Sequence, residues 1–125
     1  MRTLRRLAFE AANMSGDLWF AEGFTSYYGN LVMIRAGLTP APEGVAHLAG
    51  TASTVVNGAA RQFRSPVEMS RLATFVDAAR SVDPTNFSNA HISYYTYGAA
   101  VALGLDLSLR DRSDGTVVRS CVRGS

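Results

Sequence analysis

The sequence predicts a mainly α protein of about four helices. Three observations lead there. Apolar residues recur at three- and four-residue spacing in four segments, period-two alternation is scarce, and Gly, Pro and Asp clusters separate the segments. At 125 residues the chain is one domain at most, and it carries no internal repeat or low-complexity tract.

The first helix is expected from Leu18 to about Arg35. Ser15 or Asp17 can cap its start, Gly37 and Pro40 end it, and Phe20, Phe24, Tyr27, Leu31 and Ile34 form one apolar stripe. The second is expected over Glu43 to Gln62. Val45, Leu48, Ala49, Ala52, Val55, Val56 and Ala59 are its apolar positions, and Gly50, Thr51, Thr54 and Gly58 weaken it. The third opens on Ser65-Pro66-Val67-Glu68, which places Ser at the N-cap, Pro at the first helical position and Glu three residues after the cap. Leu72, Phe75, Val76 and Ala79 carry its apolar face until Asp83-Pro84, and Thr85 to Ala90 reads as a loop. The fourth runs from near Ser93 to about Arg110, with Tyr94, Val101, Leu105 and Leu109 prominent. It is apolar nearly all round, a pattern that calls for burial on more than one side. Asp111 to Gly115 reads as a turn, and the rest of 111–125 as a frayed tail in which Thr116-Val117-Val118 is at most a short strand.

Composition removes several chemistries. All twelve basic residues are arginine, so there is no lysine nucleophile, Schiff base or P-loop lysine. A net charge of +2 is too even to argue for nucleic acid. Cys121 stands alone, which excludes an internal disulfide or a cysteine zinc site and fits a reducing compartment. The uncharged stretch from Pro84 to Leu105 turns apolar only near Tyr94, too short for a membrane span. Arg2, Arg5 and Arg6 precede no proper signal-peptide core. The chain reads as soluble and cytoplasmic. Its charged fraction of 18% is low, as for inner helices of something larger whose uncovered apolar faces would lead to self-association.

Glu22 stands out on the first helix. Its neighbours at helical spacing are Leu18, Trp19, Thr25, Ser26 and Gly29, and a carboxylate among bulky apolar residues is costly to bury unpaired. Pattern alone favours a solvated carboxylate near a helix start, where the dipole suits negative charge.

The run Leu18-Trp19-Phe20-Ala21-Glu22-Gly23-Phe24-Thr25-Ser26-Tyr27-Tyr28-Gly29, followed by Arg35-Ala36-Gly37-Leu38, resembles the glutamate helix of the glycyl aminopeptidases. These are family sixty-one of the metallopeptidases, zinc enzymes of the gluzincin type. Downstream, Ile92-Ser93-Tyr94-Tyr95-Thr96-Tyr97-Gly98-Ala99 and Leu105-Asp106-Leu107-Ser108-Leu109-Arg110 resemble that family's tyrosine-bearing helix. The resemblance spans about Asn13 to Arg110. It implies the helical C-terminal half of a thermolysin-like catalytic domain, with 1–110 as the partial domain.

In the family, zinc is held by two histidines of an H-E-x-x-H helix and by the glutamate of a W-x-x-E-G-F segment, which corresponds to Glu22. Zinc activates a water, and the glutamate between the histidines takes its proton. A tyrosine in a Y-x-K-G segment of related enzymes donates to the oxyanion, and the matching residue is Tyr95, with Tyr97 in place of the lysine. Bulk aromatic packing at a helix start is the alternative role for Tyr95.

Neither His47 nor His91 belongs to an H-E-x-x-H. The resemblance would put the zinc histidines just upstream of Met1, leaving zinc implied but its ligand set incomplete in this chain. The resulting expectation is a truncated aminopeptidase-like fragment that does not hydrolyse its peptide substrate alone. The alternatives are a non-catalytic helical interaction module and a metal site joining Glu22 to His91. A lone loop histidine is more often a surface residue.

Overall fold

The computed structural model describes residues 15–76 and 89–113. They form α1 (Leu18–Arg35), α2 (Ala41–Asn57), a 3-10 turn (Ala59–Gln62), α3 (Pro66–Arg71), α4 (Ala73–Val76) and α5 (Tyr94–Arg112), with no strand among them. The mainly α expectation holds.

The span of α1 agrees with the apolar period, but its start is capped differently. No side chain of Ser15 or Asp17 caps it. The orphan amide of Trp19 donates instead to Ser70 Oγ at 2.9 Å, while that hydroxyl donates to Pro66 O at 2.8 Å. Ser70 lies fully buried on α3. The end of α1 is a Schellman motif: Gly37 takes a φ of +72°, its amide donates to Ile34 O, and the Leu38 amide donates to Met33 O.

The chain then returns along α1 as α2. Gly44 lies against the Ile34 side chain, and Asn30 Nδ2 donates to His47 Nε2 at 3.1 Å. The helix stops at Asn57, short of the expected Gln62, because Gly58 adopts extended backbone (φ −69°, ψ 124°) and a 3-10 turn follows. The capping box at α3 is present in full: Ser65 Oγ accepts from Glu68 N, and the Glu68 carboxylate accepts from Ser65 N. The expected third helix breaks at Leu72 into α3 and α4. Its buried residues are Met69, Ser70 and Ala73, whereas Phe75 is exposed. Ala79 and Asp83-Pro84 lie outside the described residues, and Asn89 and Ala90, read as loop, are helical.

Ser93 caps α5 by accepting from Tyr95 N at 3.3 Å. The helix continues to Arg112, through the first residues of the expected turn. Arg110 and Arg112 in its last turn suit the dipole, and Ser113 Oγ donates to Leu109 O. The tail beyond Ser113 lies outside the described residues.

Two core clusters hold these elements. Val55, Ala60, Met69, Ala73, Ile92 and Tyr94 close the end where α1 and α5 begin. Tyr27, Ala99 and Ala102 join α1 to α5 further along. Trp19 lies at the level of Gly98, and Tyr27 reaches Asp106, so α1 and α5 run side by side in the same direction. The face of α1 turned to α5 is centred on Gly23 and on Tyr27 of the predicted stripe, with Phe24 and Leu31 partly buried against the same cluster, while Phe20 departs from it. Phe20 is 54% exposed, as are Val45 (63%) and Val56 (60%) on α2. A wheel of bulky residues finds Tyr27 but misses the glycine one turn before it.

Candidate functional site

The two residues singled out by sequence sit on the two helices that pack most closely. At the crossing of α1 and α5 the backbones touch. A Cβ on Gly23 would run into the backbone of Gly98 and Ala99, and one on Gly98 into the Trp19 carbonyl and, at 2.9 Å, Gly23 Cα. Glu22 adjoins one of these glycines in sequence, and Tyr95 is three residues, about one turn, before the other. The crossing therefore fixes how far apart the Glu22 turn of α1 and the Tyr95 turn of α5 stand.

Glu22 is half-buried, and no hydrogen bond or ion pair engages its carboxylate among the described residues. Tyr95 is 42% exposed, with its ring 4.8 Å from that of Tyr94. It lines a cleft of about 160 Å³ together with Ser26, Asn30 and Thr51. Ser26 stands one turn beyond Glu22 on α1, although Glu22 itself does not line that cleft. His47 closes the cleft from α2 and is tied to Asn30. His91 is half-buried and lines a separate cleft of about 610 Å³ near the start of α5, which Glu22 does not line.

Among the described residues no three His, Cys, Asp or Glu side chains gather as a metal would require. Zinc coordination takes three protein ligands and an open position, and Glu22 supplies one. The described residues do not fit a zinc site by themselves, and no chemical step through zinc follows from them.

Sequence reasoning overlooked a polar lock one turn beyond the crossing. The buried Tyr27 hydroxyl donates to Asp106 Oδ2 at 2.5 Å, and Arg110 donates to the same oxygen from Nε at 2.9 Å and from its terminal nitrogen at 2.8 Å. Burial, then the Asp106 hydrogen bond, pushes the Tyr27 hydroxyl well above its ordinary range. Burial also pushes the Asp106 carboxyl up, but the hydrogen bonds from Arg110 and Tyr27, with the charges of Arg110 and Arg35, hold it below the usual carboxylate range. The Asp106 partnership in turn raises Arg110. The i,i+4 spacing of Asp106 and Arg110 was the available signal, and Tyr27 could not be paired to them by spacing.

A family model described as M61 glycyl aminopeptidase matches residues 2–101. No curated protein and no solved structure matches the chain.

Proposed function

Because the chain belongs to the M61 glycyl aminopeptidase family, we propose that it is the helical C-terminal part of a gluzincin catalytic domain, spanning residues 1–110, with 111–125 a divergent tail. Glu22 would supply the carboxylate of a zinc site whose other protein ligands are not among the described residues. Tyr95 is the donor to the oxyanion formed from a peptide carbonyl. The observation that carries this reading is the Gly23–Gly98 crossing, which sets both residues on rigid helices beside one close contact.

With no H-E-x-x-H in its sequence, the chain by itself does not hydrolyse peptides. No helix among the described residues is long and apolar enough to cross a membrane. The single Cys121 suits a soluble protein of the reducing cytoplasm.

Metal analysis of the purified chain tests the reading. Zinc far below one equivalent is expected, with no cleavage of aminoacyl-glycine reporters when zinc is added. Stoichiometric zinc, lost in Glu22→Ala and in His91→Ala, would replace it with a site joining those two residues. The second reading, a non-catalytic helical interaction module, is favoured by the apolar side chains left open on α1 and α5, Tyr28 and Leu105 among them.

A further inference from the structure

The open side of α1 reads the same in both directions. Asp17 stands just before its first turn and Arg35 ends it. Between them Phe20, Phe24, Tyr28 and Val32 complete a run with steps of three, four, four, four and three residues. On a helix those steps keep all six in one row. Phe20, Tyr28 and Val32 are large exposed apolar residues, and Phe24 beside them is half-buried. Glu22, the only other charged residue of α1, lies off the row.

α2 packs on the opposite side, where Ser26, Asn30 and Ile34 of α1 line the clefts against it. Val101, Leu105 and Leu109, at four-residue spacing on α5, border the open side. Two parallel helices about 27 Å long make this face roughly 20 Å wide, so two copies would bury on the order of 1,000 Å² in all, where specific interfaces begin.

The charges point to what covers it. Arg35 makes no ion pair among the described residues, and the Asp17 carboxylate accepts from the Ser15 hydroxyl at 3.4 Å. A second copy, turned about a two-fold axis between Phe24 and Tyr28, lays its own α1 antiparallel on the first. Asp17 then faces the partner copy's Arg35, Phe20 its Val32, and Phe24 its Tyr28. Because α5 runs in the same direction as α1, the same turn also opposes the dipoles of both helices. The contact is isologous and closes at two copies.

We propose that two copies of this chain pair antiparallel through α1, with Asp17 of each facing Arg35 of the other. The pairing goes beyond the zinc-peptidase reading and requires neither metal nor Glu22. Loss of that reading would appear in zinc content and hydrolysis, whereas this proposal stands or falls on association.

The test is sedimentation of the whole chain over a range of concentrations. A dimer that does not grow into larger species is expected. Asp17→Arg and Arg35→Asp each set like charges at both ends of the pair, and each weakens dimerisation about tenfold. Mixed in equal amounts, the two variants recover the wild-type affinity, since every acidic end again faces a basic one in the mixed dimer. Mixing does not repair an effect confined to one chain, such as a lost cap. Circular dichroism of each variant verifies that its helices are intact. A concentration-independent monomer, open-ended aggregation, a dimer indifferent to both charge variants, or a mixture no tighter than either variant alone would overturn the proposal.

Discussion

Asp106 ties the two long helices by charge. Its carboxylate accepts from buried Tyr27 on α1 and from Arg110 on its own helix. Because its folded-state carboxyl lies below the unfolded value, its contribution is complete above the unfolded pKa of about 4 and is lost as pH falls through the folded one. Glu68 acts in the same window, since the amide and hydroxyl of Ser65 hold its carboxyl low. Asp106→Asn is therefore expected to lower the melting temperature at neutral pH, and the deficit is expected to shrink as pH falls through the folded-state value and the wild-type carboxyl takes up its own proton. Thermal melts across that range decide the matter: an equal loss at both ends would mean that packing, not charge, holds the lock. Tyr27 works in the opposite direction. Its raised hydroxyl contributes below the ordinary tyrosine pKa of about 10, and that contribution is lost as pH rises through the folded value.

At the level of the helices, α1 and α5 are held close by glycine. Gly98→Ala is expected to cost about 1–3 kcal/mol or more, because its methyl meets the Trp19 carbonyl and neither backbone can give way without parting the helices. Gly104→Ala, on the same helix with nothing within 4 Å of a Cβ, is expected to gain about 0.5–1 kcal/mol from helix propensity. Urea unfolding of the two variants provides an internal control, and a similar change in both would remove the crossing as an explanation. This contrast also marks what can be read from sequence. The period and the Gly37 stop place α1, the period places most of α5, and Ser65-Pro66-Val67-Glu68 fixes the start of α3, because those signals are local. The family resemblance marks Glu22 and Tyr95. The apolar stripe of α1 includes the buried Tyr27 but also the exposed Phe20 and leaves out Gly23, since nothing local says that Gly23 faces another glycine. The Ser70 hydroxyl beneath the Trp19 amide and the Tyr27–Asp106 bond are equally hidden, because they join residues 51 and 79 positions apart. The break at Gly58 had a visible cause, yet the alanines on either side outweighed it in the pattern.

For the molecule as a whole, the low charge noted in the sequence reappears as open apolar surface. Phe20, Tyr28 and Val32 on α1, and Val101, Leu105 and Leu109 on α5, are exposed although each is large and apolar. Self-association of the purified chain is the expected result. Leu105→Arg should move sedimentation profiles toward monomer and reduce binding of a hydrophobic dye. A concentration-independent wild-type monomer would contradict it.

The parallel course of α1 and α5 has a consequence in time. Two neighbouring helices that point the same way cannot be joined by a tight turn, and everything from α2 to α4 lies between them in the chain. The Tyr27–Asp106 bond closes a separation of 79 residues, which ribosomal synthesis at ~5–20 residues per second spans in about 4–16 s. For most of that interval Gly23 has no Gly98 to meet. α1 must wait for α5, and a nascent chain halted before α5 exposes Tyr27 and Trp19 to whatever else will cover them.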